Sequence, residues 1–224
     1  MIDLELNSST DLKREGKSFY WASFFLPKSY KKNAGTLYSI CRYFDDIADK
    51  YSEDQTIYLK NSIEEIRTNK NNKVNIFLQK NEINNLIFID LIEGLILDQK
   101  KIRIQNKEEL IKYSYHVAGT VGLMMSKIIG VKHEKAARSA IDLGIGMQLT
   151  NIARDVYEDS KMKRIYLPAN WIPDITLKNL NDLHNKSSEK DERISNAIYE
   201  VIGLSDKFYK NGFAGLKYIP LSTR

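Results

Sequence analysis

The sequence predicts a single all-α domain over residues 1–224. Only four prolines occur in 224 residues, and the long intervals between them carry apolar residues at helical spacing rather than in strand-like alternation. No internal repeat stands out, and no linker divides the chain. A chain of this length can bury one sizeable core, so one helical domain accounts for the whole pattern.

Six helices are predicted from the apolar periodicity. Their approximate ranges are 34–50, 53–68, 82–99, 107–129, 133–159 and 188–211. The stretches LPKSYKKNAG (26–35) and YLPANWIPD (166–174) are the main interruptions. Residues 178–193, rich in Asn, Lys, Asp and Ser, are predicted to form a polar loop that leads into the last helix.

The charge and composition limit the classes of partner and compartment. Lys and Arg number 34 against 29 Asp and Glu, a formal charge of +5. Because the basic residues are dispersed, they favour a phosphorylated ligand or an anionic membrane surface over nucleic acid. The single cysteine excludes an internal disulfide and fits a reducing compartment. With no secretory signal and no apolar run long enough for a bilayer, we expect a cytoplasmic protein that can touch a membrane peripherally.

Three carboxylates crowd the end of the first predicted helix, in CRYFDDIADK (41–50). Asp45 and Asp49 lie one turn apart on the same face, beside an apolar face that contains Leu37 and Phe44. Like charges at helical spacing repel each other. Either this face is solvated, or a cation lies between Asp45 and Asp49.

The helix predicted at 133–159 carries a second polar stripe beside its apolar side. The apolar arc contains Ile145, Leu149, Ile152 and Val156, and the stripe contains Gln148, Asn151, Asp155 and Asp159, flanked by Glu158. Glycines at 144 and 146 each cost about 1 kcal/mol relative to Ala in a helix. We therefore expect another group to approach the helix closely there. This helix is predicted to form the wall of a polar cavity.

Together the two stripes supply oxygen ligands without histidine or cysteine. Oxygen-only ligation that leaves room for water and phosphate suits Mg²⁺. The alternative is two unrelated solvated faces. Between the two helices, YSYHVAGTVGLMM (113–125) carries small residues that predict close backbone packing and would also leave space for an alkyl chain.

These stretches together resemble the squalene/phytoene synthase family. GKSFYWASFFLP (16–27) resembles its N-terminal segment, and YSICRYFDDIADK resembles its first aspartate-rich motif, DxxxD. EGLILDQKKIR (93–103) is similar to the central block, with Asp98 and Arg103 present, and YSYHVAGTVGLM is similar to YxxxVAGTVG. MQLTNIARDVYEDSKMKRIYLPANW (147–171) resembles the second motif, NxxxDxxxD, followed by RxYLP. The order and approximate spacing agree from residue 16 to about 220.

The resemblance implies the isoprenoid synthase fold, a helical bundle around a central cavity. It also implies Mg²⁺-dependent head-to-head condensation of two allylic isoprenyl diphosphates through a cyclopropylcarbinyl diphosphate. The metal ligands implied are Asp45, Asp49, Asn151, Asp155 and Asp159, with Glu158 as a further contact, and the four aspartates and Tyr113 are the implied catalytic residues. The implied substrate-binding residues are Lys17, Ser18, Arg42 and Gln148 for the diphosphate and polar pocket, and Val117, Ala118, Val121 and Gly122 for the prenyl tails. Arg154 is expected on the outer face in a structural role.

The expected product is phytoene from two geranylgeranyl diphosphates, in carotenoid biosynthesis. The alternative is squalene, dehydrosqualene or presqualene diphosphate from farnesyl diphosphate, and NADPH enters only if the product is squalene. A different class of alternative is a non-catalytic scaffold or assembly factor on the same fold. Since family members continue past a similar Y-[IL]-P with further helices, those C-terminal helices are expected to be missing from this chain. The oligomeric state is not predicted.

Overall fold

A computed structural model describes residues 26–50, 52–99, 102–181 and 189–223. Lys17 and Ser18 lie outside the described residues. The helices are α1 (Lys28–Asp49), α2 (Glu53–Thr68), α3 (Lys73–Lys80), α4 (Asn85–Asp98), α5 (Lys107–Ser114), α6 (Thr120–Ile128), α7 (Glu134–Arg154), α8 (Val156–Lys161), α9 (Leu177–Asn181) and α10 (Glu189–Phe213). Within these ranges the β pairing is one isolated bridge, between Arg103 and Ile165. The all-α prediction is confirmed.

The helix starts follow local capping chemistry. Ser52 accepts a hydrogen bond from Gln55 N at the start of α2, and Asn106 accepts one from Glu109 N at the start of α5. These side chains satisfy amide groups that the helix itself leaves unpaired. Helix α1 begins after Pro27, earlier than the predicted residue 34. Its first turn is polar and mostly exposed, so it carries no apolar periodicity to mark it.

Helix α3 was not predicted, because its eight residues are too few to give a clear apolar period. Its side chains Val74, Phe77 and Leu78 are nevertheless buried. They join a first apolar core built mainly from α1, α2 and α4. A second core surrounds α7 and takes in α5, α10 and the segment from Ile165 to Ile175.

The predicted helix at 107–129 has its expected extent but contains a wider, π-helical turn at Tyr115–Gly119. Three contacts with α4 hold this turn. Tyr115 Oη donates to Asp90 Oδ2 at 3.0 Å, His116 Nδ1 lies 2.9 Å from the Asp90 carbonyl oxygen, and Gly94 faces His116 without room for a Cβ. Such turns are frequent at functional sites.

Helix α7 packs closely against the π-helical turn on one side and against α10 on the other. A Cβ on Gly144 would overlap the Ala118 carbonyl oxygen, and a Cβ on Gly146 would lie 3.3 Å from Tyr209 N. The predicted close approach at these two glycines is confirmed. The contact between α7 and α10 also includes a hydrogen bond, in which Ser205 Oγ donates to the Gly146 carbonyl oxygen at 3.0 Å.

No described helix combines the length and the apolar character that crossing a membrane requires.

Gly144→Ala should destabilise the protein by about 1–3 kcal/mol, because the added methyl group meets backbone atoms of Ala118 that cannot move aside. Gly203→Ala in α10 is the matched control, since nothing lies within 4 Å of its added Cβ. The control should gain up to about 1 kcal/mol from helix propensity. Urea denaturation followed by circular dichroism measures both. Equal stability of the two variants would contradict the packing described for α7.

Candidate active site

An ion pair joins the two aspartate-rich segments. Asp49 ends α1, and Arg164 follows α8, 115 residues later in the chain. Arg164 Nη1 and Nη2 donate to Asp49 Oδ1 at 3.2 Å and 3.3 Å. The Arg164 side chain is only 12% exposed, whereas that of Asp49 is 46% exposed. The guanidinium group therefore lies inside the site with its charge turned toward the acidic residues.

Asp98, at the end of α4, receives two phenol hydroxyl groups. Tyr113 Oη is 3.0 Å from both carboxylate oxygens of Asp98, and Tyr166 Oη donates to Asp98 Oδ1 at 2.9 Å. The two tyrosine rings stack with their centroids 4.9 Å apart. Burial and the nearby Asp98 charge raise the pKa of Tyr113 well above its ordinary value, so its phenol stays protonated and donates.

The carboxylates of α1, α4 and α8 lie near enough to influence one another. Burial, followed by the charge of Asp49, raises the pKa of Asp45 to about 6. Burial raises the pKa of Asp98 to about 6, and burial together with Asp155 raises the pKa of Asp159 to about 7. The positive charge of Arg164 opposes the shift at both Asp98 and Asp159. One buried arginine thus faces an excess of negative charge, which favours binding of a cation.

The donor set fits a hard divalent cation in its chemistry, because it offers carboxylate and amide oxygens alone. Among the described residues, however, no three His, Cys, Asp or Glu side chains are grouped closely enough to hold a metal ion. The carboxylates approach each other from several helices without forming a closed coordination shell. A metal would have to draw them together.

The predicted uninterrupted helix at 133–159 is wrong in one place. Asp155 separates α7 from α8, with φ −101° and ψ 19°. The hydrogen bonds on each side persist, since Asp155 N donates to Asn151 O and Asp159 N donates to Asp155 O, both at 2.8 Å. The interruption is therefore a local bend that changes how the second motif presents its carboxylates.

Arg154 and Asp155 form a close pair at this bend. Arg154 Nε and Nη2 each donate to a different Asp155 oxygen at 2.6 Å. The Arg154 side chain is 66% exposed, in line with the outer face expected from the sequence. Glu158 is exposed as well. On the other helix, Arg42 pairs with Asp45 at 3.0 Å and with Asp46 at 2.7 Å.

An apolar cavity of about 310 Å³ lies between α6, α7 and the segment that follows α10. Six predicted site residues line it, namely Val117, Ala118, Val121, Gly122, Gln148 and Asn151. Asn151 belongs both to the second aspartate-rich motif and to the cavity wall. The cavity therefore reaches the second aspartate-rich motif at Asn151 and continues along α7 into apolar surroundings.

The structure groups the predicted site residues unevenly. Asp45, Asp49 and Asp159 each lie near enough to Asp98 to interact with its charge, and the apolar residues lie on one cavity wall. Tyr113 is directed at Asp98 and is absent from the described cavity wall. Sequence reasoning assigned no role to Asp98, Tyr166 or Arg164. The signals available were the resemblances of EGLILDQKKIR and RxYLP to family blocks, which contain all three.

Comparisons with known proteins agree with this geometry. The sequence profile described as squalene/phytoene synthase matches residues 12–224. A 15-cis-phytoene synthase of Enterobacter agglomerans is 31% identical over 92% of this chain and 75% of its own length. A phytoene synthase of Thermus thermophilus is 31% identical over 93% of this chain and 73% of its own length.

Solved structures give the same result for the fold. A crystal structure of a dehydrosqualene synthase with a ligand superposes with a TM-score of 0.83 at 26% identity, covering 97% of this chain and 78% of that one. A squalene synthase from Alicyclobacillus acidocaldarius gives a TM-score of 0.79 at 19% identity, covering 95% and 84%. The predicted isoprenoid synthase fold is confirmed.

The raised pKa of Asp159 predicts a pH-dependent cost of folding in buffer without divalent cations. The pKa is about 7 in the folded protein and about 3.9 in an unfolded chain. A raised folded pKa contributes stability that is complete below the unfolded value and is lost as pH rises through the folded value. Asp159→Asn should therefore gain melting temperature relative to the wild type as pH rises from 5 to 8.

Asp206→Asn is the control, since it removes one exposed carboxylate from α10, away from the acidic residues. Its difference in melting temperature from the wild type should change little between pH 5 and pH 8. A pH-independent difference for Asp159→Asn would show that the Asp159 carboxylate does not carry the predicted cost.

Proposed function

The chain belongs to the squalene/phytoene synthase family of prenyltransferase-type enzymes, and we propose that it joins two geranylgeranyl diphosphates head to head to give phytoene. The observation that carries the proposal is the position of the apolar cavity. It extends to Asn151, the first residue of the second aspartate-rich motif, four positions before Asp155. A diphosphate held at the acidic end would leave its prenyl tail in the cavity.

Mg²⁺ is the proposed cofactor, held by Asp45 and Asp49 from one side and by Asn151, Asp155 and Asp159 from the other. Glu158 is a further contact. When bound, the metal would stabilise the negative charge that develops on the diphosphate as it leaves. The excess of carboxylates over buried cations supports this assignment, because burial and then mutual repulsion raise their pKa values, and a divalent ion relieves the repulsion.

The chain's own residues supply position, charge and exclusion of water. Arg42 and Arg164 carry positive charge next to the acidic groups, where it can pair with diphosphate oxygens. Lys17 and Ser18 stay predicted diphosphate contacts. The apolar lining contributed by Val117 and Val121 would keep nucleophiles away from an allylic cation.

Tyr113 is proposed to assist the proton loss that closes the cyclopropylcarbinyl diphosphate. Its phenol remains protonated at neutral pH, and Asp98 fixes its orientation. To take a proton from the substrate, Tyr113 would pass its own phenol proton to the Asp98 carboxylate, to which it is already hydrogen-bonded. If the substrate does not reach the phenol oxygen, Tyr113 positions Asp98 instead.

The names of the similar bacterial proteins support phytoene over the farnesyl-derived products. The alternative remains squalene, dehydrosqualene or presqualene diphosphate, and one structural neighbour is a dehydrosqualene synthase. A scaffold without catalysis is disfavoured, because a metal-free site has no physical reason to retain mutually repelling aspartates. The apolar product has to leave into a bilayer, so a cytoplasmic chain with peripheral membrane contact stays our prediction.

The decisive experiment incubates the purified chain with Mg²⁺ and either geranylgeranyl or farnesyl diphosphate, each with and without NADPH. Diphosphate release is measured and the lipid products are identified. We expect phytoene from geranylgeranyl diphosphate, independent of NADPH and abolished by EDTA. If farnesyl diphosphate gives a product and geranylgeranyl diphosphate does not, the farnesyl-derived alternative replaces the phytoene proposal. No diphosphate release under any condition would remove the catalytic proposal.

Asp45→Ala and Asp155→Ala should each lower turnover by at least about a hundredfold, the usual effect of losing one group that stabilises developing charge. Asp206→Ala is the control for loss of a carboxylate elsewhere and should keep wild-type turnover. Circular dichroism should stay close to the wild type in all three, and none should melt at a markedly lower temperature. Unfolding of either site variant would instead indicate a structural role for that aspartate.

A further inference from the structure

One face of α7 forms a wall of the apolar cavity along most of the helix. The lining residues recur every three or four positions from Ala136 to Asn151, and they include Ser139, Leu143 and Met147. This spacing keeps side chains on one side of an α-helix. The cavity is therefore a channel parallel to α7 rather than a rounded hollow at one end of it.

Helix α6 and the π-helical turn form a second wall that runs antiparallel to the first. A Cβ on Gly122 would overlap the Ala140 carbonyl oxygen, and a Cβ on Gly144 would overlap that of Ala118. The two backbones are in contact at both levels, so the channel has no opening between them. Ile129, at the end of α6, consequently lies beside the first turns of α7 and lines the same end of the channel as Ala136.

The end of α10 and the segment that follows it form the third wall. A Cβ on Gly212 would lie 3.0 Å from the Leu143 Cβ, and Gly215 leaves no room for a side chain against Ser139. Leu216 and Ile219 face the channel. The absence of side chains at the two glycines lets this segment follow α7 closely.

Three contacts fasten that segment over the turn between α6 and α7. Thr223 Oγ1 donates to the Ile129 carbonyl oxygen at 2.9 Å. The rings of Tyr218 and His133 stack with centroids 4.3 Å apart. Pro220 Cγ would lie 3.8 Å from a Cβ on Gly130. These contacts hold the segment across the end of the channel that is farthest from Asn151.

We propose that this closed end, formed by Ile129, Ala136 and Ile219, sets the length of the isoprenyl tail that the channel accepts, and that its depth fits four isoprene units. The inference rests on the proposed function, because it takes the diphosphate to lie at the acidic end. It concerns the channel described here, which accommodates one of the two tails.

The depth of the channel selects between the two substrate lengths. From Ala136 to Asn151, α7 rises about 22 Å at 1.5 Å per residue. An extended isoprene unit spans about 5 Å, given carbon–carbon bonds of about 1.5 Å. A geranylgeranyl tail of about 20 Å therefore reaches the closed end, whereas a farnesyl tail of about 15 Å stops near Ala140. The shorter tail leaves apolar surface at Ala136 and Ile219 without a partner, which weakens its binding.

The test measures binding of farnesyl and geranylgeranyl thiodiphosphates, which are unreactive analogues, by calorimetry in the presence of Mg²⁺. The wild-type chain should bind the geranylgeranyl analogue at least about tenfold more tightly, because one more apolar unit is buried. Ala136→Phe fills the closed end, so it should remove this preference and leave farnesyl binding within about twofold of the wild type. Arg138→Phe adds the same ring at an exposed neighbouring position of α7 and should leave both affinities unchanged.

Ile219→Ala tests the same inference in the opposite direction, and this test does not depend on whether Ala136→Phe folds. By deepening the channel it should improve binding of geranylfarnesyl thiodiphosphate by at least about tenfold over the wild type. Equal binding of the two analogues by the wild type, or a length preference that no substitution at the closed end changes, would overturn this inference and leave the proposed function intact. Failure of the wild-type chain to bind either analogue would count against the proposed function itself.

Discussion

The site depends on crowding several carboxylates around one buried guanidinium group. Asp49, Asp98 and Asp159 come from three different helices, and Arg164 interacts with all of them. A single positive charge offsets only part of the repulsion between these carboxylates, so the folded region keeps a net negative charge. Burial of the two apolar cores stabilises the fold and offsets the electrostatic repulsion between these carboxylates. Carboxylates held at a distance from one another by rigid helices remain available to an incoming cation.

Asp98 links this acidic region to the rest of the fold. Its two phenol donors belong to α5 and to the segment after α8, and the isolated bridge between Arg103 and Ile165 ties that second segment to the stretch just before α5. The backbone pairing and the side-chain hydrogen bonds therefore support one another. Tyr113 and Tyr166 fix the Asp98 carboxylate in place. Arg164 lies two residues before Tyr166 in the chain, so the same contacts help to position its guanidinium group. Small movements of one partner are resisted by the others.

The sequence predicted the periodic features of the fold well. The apolar faces of α1 and α7 are buried as expected, with Leu37, Phe44 and Leu149 fully inside. The glycines of α7 meet neighbouring backbone as expected. These features repeat at helical spacing or carry a known cost in a helix, and both can be read from the residues alone.

Other features could not be predicted, because their causes are not local. A lone carboxylate at the end of an apolar helix gives no periodic signal, so the hydrogen bonds of Asp98 become visible only when Tyr113 and Tyr166, 15 and 68 residues away, are placed beside it. The bend at Asp155 involves neither proline nor glycine. The π-helical turn arises from contacts with Asp90 and Gly94 in another helix. Each is set by tertiary packing rather than by the residues nearby in the chain.

The fastening of residues 212–223 over the α6–α7 turn has a consequence for the order of folding. Thr223 bonds to Ile129 across 94 positions of the chain, and pairings at such separation form late because a long loop must first be closed. In a nascent chain whose α6 and α7 have already packed together, the apolar channel wall would stay exposed until residues 212–223 cover it. Chaperones that recognise exposed apolar surface would bind there. Their binding site would be buried once residues 212–223 complete the channel.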